Sequence, residues 1–154
     1  MNTTRRLWLK AAGSAGLIAS GVAAGLLIPV RALADWDSAA FSATRMIDAL
    51  AAMGASDATT SLGVVVKTPD IAENGAVVPV EVHTTLPNVE SIAILAEKNP
   101  TPLIAQYTLT DFDGVLTTRI KMRETAKVRA IVKAGGKFYT SAKEVKVTIG
   151  GCGG

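Results

Sequence analysis

Cysteine and histidine are nearly absent. The 154 residues hold one of each, Cys152 and His83. A lone cysteine excludes an internal disulfide. A metal site needs several converging ligands, which one histidine and one distant cysteine do not supply, so no metal and no cofactor is expected. No Ser/His/Asp set can be built from one histidine and scattered acids, and no catalytic residue is assigned. His83 stands beside Thr84 in a strand pattern and reads as an ordinary strand residue. No glycine-rich phosphate loop opens a helix. Gly135-Gly136 lies between two strand patterns and reads as a hairpin turn. The body of the chain does not read as an enzyme.

Acid is missing from Met1 to Ala34, which carries Arg5, Arg6 and Lys10, then a small apolar run, then Arg31-Ala32-Leu33-Ala34. A charged start, an apolar stretch and an Ala-x-Ala end make a signal peptide. Arg5-Arg6 within "TRRLWLK" resembles the twin-arginine export consensus, with Trp8 where Phe is usual. An uncleaved anchor is the alternative, since about 20 apolar residues span a bilayer. The run is rich in Ala and Gly, so removal after Ala34 is expected, leaving no membrane attachment and a periplasmic location. Without Arg5, Arg6, Lys10 and Arg31, 12 basic residues face 13 acids, near −1. No nucleic-acid partner is indicated. An exported protein meets an oxidising compartment, where an unpaired cysteine points to intermolecular pairing or a reactive thiol.

The chain divides into a signal peptide (1–34), an N-terminal helix and linker (35–60), a β-sandwich (61–149) and a C-terminal arm (150–154). Asp35–Met53 reads as one helix, capped by Ser38, with Phe41, Met46, Ile47, Leu50 and Met53 at near-helical spacing. Beyond residue 60 come seven or eight short strand patterns with turn residues between them, the mark of an antiparallel β-sandwich. Asn74-Gly75 is a hairpin-type signal. Pro79, inside "AVVPVEV", implies an edge strand or a bulge. Charge is split: residues 35–118 hold three basic residues against eleven acids, and 119–154 hold nine against two. Arg119, Lys121 and Arg123 share one face at period two, with Arg129 and Lys133 in the next strand. They read as a solvated sheet face, or as a basic stripe that steers docking.

The chain ends "VTIGGCGG". Glycine loses the most freedom on ordering, so Gly150, Gly151, Gly153 and Gly154 should leave Cys152 on a mobile, thin arm. No helix N-terminus or adjacent cation in the sequence lowers the thiol pKa, and a pKa near ~8.5 leaves few thiolates at neutral pH. Such a thiol is presented rather than tuned, as in a carrier. Prenylation requires the cysteine fourth from the end, and this one is third. Ubiquitin-like sulfur carriers also end in Gly-Gly, but their activation needs ATP, which export removes.

The leader, "PDIAENGAVVPVEV", "AEKNPTP", "TRIKM" and above all "VTIGGCGG" resemble the SoxY family, sulfur-substrate carriers of the thiosulfate-oxidising Sox system. The resemblance implies an immunoglobulin-like sandwich and covalent sulfur attachment at Cys152, with the arm glycines as hinge. It implies a heterodimer with a SoxZ-like subunit. It also implies visits to a c-type cytochrome, a thiosulfohydrolase and a sulfur dehydrogenase. Two other readings are an exported sandwich that cross-links or exchanges disulfides through Cys152, and a thiol peroxidase.

Overall fold

The computed structural model describes residues 37–149. Two short helices come first, α1 (Ser38–Ser42) and α2 (Met46–Ala52). The single helix expected over Asp35–Met53 is corrected. Ala43 and Arg45 are extended (ψ 133° and 143°) and break it. Asp37 caps α1 in place of Ser38, its carboxylate accepting from the Ala40 N–H at 3.0 Å. The break lets two small apolar faces meet one sheet. Ala40 and Phe41 come from the first helix; Met46, Ala49 and Leu50 come from the second. Ile47, counted in the helical pattern, is left 65% exposed.

Nine strands follow: β1 (Thr59–Thr60), β2 (Val64–Lys67), β3 (Ile71–Ala72), β4 (Val78–Thr84), β5 (Val89–Ala96), β6 (Leu103–Thr108), β7 (Val115–Ile120), β8 (Ala126–Ala134) and β9 (Lys137–Val147). They form a large sheet ordered β1-β9-β8-β5-β6 and a small one ordered β2-β4-β7. The fold is an immunoglobulin-like β-sandwich. Most pairs are antiparallel, but β9 takes β1 and β3 as parallel partners on its outer edge. The expected strands "KFYT" and "EVKVTI" are one continuous β9.

The sandwich core follows from period-two alternation. Val64 and Val66, then Val78, Val80 and Val82, then Ile120 face inward from the small sheet. Ile92, Ile94, Val128, Val132 and Val145 meet them from the large one. Burying such a side chain stabilises by roughly 1.5–3 kcal/mol. The middle of β5 and β8 is covered on both faces. Ala93, Leu95 and Ile131 point outward and are buried beneath the two helices. That explains why "SIAILA" and "RAIVKA" read as apolar runs rather than clean alternation.

Gly135-Gly136 closes the β8–β9 hairpin as expected, with φ of 55° and 73°, the left-handed pair that a two-residue turn requires. Asn74-Gly75 is not a hairpin. β3 pairs with β9 rather than β4, and the turn carries the chain from one sheet to the other. Pro79 sits in β4, the central strand of the small sheet. β2 ends at Lys67 opposite Glu81, so β4 has lost that neighbour when it reaches Pro79. The Thr85 N–H donates to Gly63 on the β2 side, and the Thr84 N–H to Gly114 on the β7 side. By that alternation the missing Pro79 N–H faces the unpaired side. The proline is therefore locally at an edge.

Candidate functional site

Cys152 and its four glycines, Gly150, Gly151, Gly153 and Gly154, lie outside the described residues, as do Arg5, Arg6 and Ala34. The structure does describe the point from which the arm departs. β9 pairs with β8 as far as Val145, opposite Ala126. Beyond that, the segment Asp70–Gly75 takes over. The Lys146 N–H donates to the Asp70 carbonyl at 2.9 Å and the Thr148 N–H to the Ala72 carbonyl at 3.1 Å. The Thr148 hydroxyl donates to the Glu73 carbonyl at 2.9 Å. The Gly75 N–H donates to the Ile149 carbonyl at 2.7 Å. Pairing thus runs to the last residue before the glycines.

Other contacts brace this segment. Asn74 folds its own turn, its side-chain oxygen accepting from the Ala76 N–H at 2.8 Å. The Gly75 carbonyl accepts from the N–H of the fully buried Met122 at 2.7 Å. The Val147 N–H donates to the Thr125 hydroxyl at 2.9 Å. Lys143 bridges the Thr68 carbonyl at 2.7 Å and the Asp70 carboxylate at 2.9 Å. That ammonium, by hydrogen bond first and by charge second, holds the Asp70 carboxyl below the usual carboxylate range.

Burial holds the root as far as Val147, which packs half-buried against the core beside buried Ala72, whereas Ile71 and Ile149 are 58% and 69% exposed. A backbone hydrogen bond nets about 1 kcal/mol, and fixing one residue costs about 1–2 kcal/mol. The bonds made by Thr148 and Ile149 therefore leave that last stretch of pairing near balance.

His83 lies half-buried on the outer face of β4, its Nε2 3.0 Å from Glu81. The basic stripe divides in space. Arg119 stands on β7 in the small sheet, and β8 belongs to the large one. Arg129 bonds Glu97 at 3.1 Å and Lys133 bonds Glu90 at 2.9 Å. Lys121 and Arg123 flank a loop that Asn99 grips, donating to the Lys121 carbonyl at 2.8 Å and accepting from the Arg123 N–H at 3.0 Å. A groove of about 280 Å³, floored by Ala93, Ile131 and Phe138, lies at the hairpin end of β9. It is far along the strand from the arm root. Among the described residues no three His, Cys, Asp or Glu side chains converge on a metal site, and no helix is long and apolar enough to cross a membrane.

Residues 49–152 match the family described as "Sulfur oxidation protein SoxY", a match that reaches Cys152 itself. Among solved structures, the sulfur carrier protein SoxY from Chlorobium limicola f thiosulfatophilum is 38% identical, with a TM-score of 0.62, over 70% of this chain and 96% of that one. A superoxide reductase (neelaredoxin) from Ignicoccus hospitalis is 16% identical, with a TM-score of 0.49, over 58% of this chain and 80% of that one, too slight a likeness to bear on function. No curated protein sequence matches the chain at a significant level. The chain belongs to the SoxY family of sulfur oxidation proteins.

Proposed function

We propose that this protein carries sulfur intermediates covalently on Cys152 during thiosulfate oxidation and presents them to partner enzymes in the periplasm. The observation that carries the reading is the family match through Cys152. The body supports it by holding the chain past β9 as far as Ile149, directly before the glycines. Five extended residues reach roughly 17 Å. Small neighbours let a thiol on such an arm enter a narrow cleft in another protein.

The chemistry balances without a resident cofactor. Oxidative coupling of Cys–SH with thiosulfate gives Cys–S–S–SO₃⁻, a proton and two electrons, the electrons passing to a c-type cytochrome. Water then cleaves the outer S–S bond at a thiosulfohydrolase, releasing sulfate and a proton and leaving the persulfide Cys–S–SH. A sulfur dehydrogenase takes six electrons from the outer sulfur and passes them to an electron acceptor, three waters supplying the oxygens to give Cys–S–SO₃⁻ and seven protons, and a second hydrolysis releases sulfate and a proton and restores the thiol. In this scheme the chain is carrier and not catalyst. A SoxZ-like subunit is its stable partner, and residues 1–34 are the twin-arginine leader removed on export.

One measurement tests address and cargo together. Intact mass of the protein recovered from periplasm should show loss of residues 1–34 and sulfur-sized additions on Cys152. A fixed disulfide dimer without additions would favour the cross-linking reading. In reconstituted turnover, Cys152→Ser should abolish thiosulfate oxidation. Gly151→Val and Gly153→Val should lower it at least several-fold, because a β-branched side chain stiffens and widens the arm. Their alkylation by a small reagent should stay normal. Full turnover in both valine variants would remove the swinging-arm mechanism.

A further inference from the structure

The segment "PDIAENG" has no place in the carrier chemistry, yet it runs beside the arm root bond for bond. We propose that Asp70–Gly75 is a clamp that sets the working radius of Cys152, with Gly75 and Thr148 as its positioning residues. The inference rests on the carrier reading and adds to it a device that fixes how far the cargo reaches.

With the clamp closed, the last residue held is Ile149, whose carbonyl accepts from Gly75 at 2.7 Å. Cys152 is three residues further, so its Cα stays within roughly 10 Å of the body. With the clamp open, the root is still held at Val147, whose N–H donates to the Thr125 hydroxyl and whose side chain packs on the core. Cys152 is then five residues out, and its radius grows to roughly 17 Å. Effective concentration of a tethered group falls with about the 3/2 power of tether length, so opening dilutes the thiol at a docked cleft roughly 2-fold.

Two features make Asp70–Gly75 suited to this task. It holds the root through backbone groups and one hydroxyl, with Ile71 and Ile149 left exposed, so losing single bonds tips the balance. It is also tied to the core independently of the arm. The Gly75 carbonyl accepts from Met122, and Ala72 is buried against the sandwich interior. The clamp can therefore release the root without the sandwich opening.

The test uses Thr148→Val, which removes the hydroxyl bond to Glu73 and keeps a β-branched residue, and the pair Asn74→Ala with Thr148→Val, which also removes the turn that aims the Gly75 N–H. Amide exchange of Thr148 and Gly75 should quicken about 5-fold in the single variant and more in the pair, with core amides of β8 unchanged. A spin label on Cys152 and a second on Lys98→Cys should give a longer and broader distance distribution in the pair. With thiosulfate and the partner cytochrome, KM for the carrier should rise roughly 2-fold at unchanged kcat.

Quickened exchange with unaltered label distances and unaltered KM would overturn the clamp. So would a fall in kcat at constant KM, which marks damage to the chemistry rather than to reach. The distances are read on unloaded protein. A failure of Cys152 to take up sulfur would therefore sink the carrier reading and leave the clamp to be judged by the labels.

Discussion

Gly114 holds φ at 95°, and a Cβ built there would lie 2.8 Å from the Thr84 carbonyl oxygen. Its own carbonyl accepts from the Thr84 N–H at 2.8 Å, which starts the β4–β7 ladder. Gly114→Ala meets both a disfavoured backbone region and a backbone clash, so it should cost about 2 kcal/mol or more, read as a lower urea midpoint at constant slope. A midpoint within error of the parent would show that the loop relaxes freely. Cys152 and its glycines lie outside the described residues and remain a proposal from the sequence, where a lone thiol framed by four glycines has few other uses. Thr148 and Gly75 were not legible as a pair. Some seventy residues separate them, and neither has a local pattern that announces the other. What was visible was an Asn-Gly dipeptide, whose ordinary meaning, a hairpin, was wrong here.

Strands with period-two apolar positions, such as β4 and β7, were legible because one face of each meets the core. The β8–β9 hairpin was legible from two adjacent glycines. The two-residue strands β1 and β3 were not, since a parallel pairing across the chain leaves no periodicity to read. The helix break at Ala43–Arg45 was hidden for the opposite reason: the apolar spacing continues through it. β3 also carries a pH dependence. The Asp70 carboxyl is held below its ordinary value by Lys143, so its contribution is present above the unfolded carboxylate range, near ~3.9, and is lost as pH falls through the folded value. Acidification should therefore loosen the β3–β9 pairing in the parent. In Asp70→Asn that acid-dependent part should be missing, as read by amide exchange of Lys146 at neutral and acid pH. Equal acid sensitivity in parent and variant would assign the loosening to other carboxylates.

Folding draws part of the sequence's charge split together. Arg129, Lys133 and Lys143, all from the basic C-terminal part, bond Glu97, Glu90 and Asp70 from the acidic part. Sequence asymmetry becomes cross-strand pairing, and these partly exposed pairs add little to stability. Under the proposed function, self-association is expected through the thiol. Without cargo or reductant, the isolated protein should oxidise to a tail-to-tail dimer through Cys152, seen as a band of twice the mass that reductant removes. Cys152→Ser should stay monomeric on a denaturing, non-reducing gel, and a dimer persisting there would assign the cross-link elsewhere.

The run of β9 from the Gly135-Gly136 turn toward Ile149 has a practical consequence. From Lys137 to Ile149 an extended strand spans roughly 40 Å, while the arm beyond reaches less than half that. A handle attached at exposed Lys137 therefore sits beyond the reach of the same chain's thiol. Grafted through that handle to an electrode, the protein would form an oriented layer with the arm root, Ile149, on its solution side. Under the proposed function, electrons drawn from thiosulfate by a soluble cytochrome could then be counted at the surface, making the carrier a reusable sensor element.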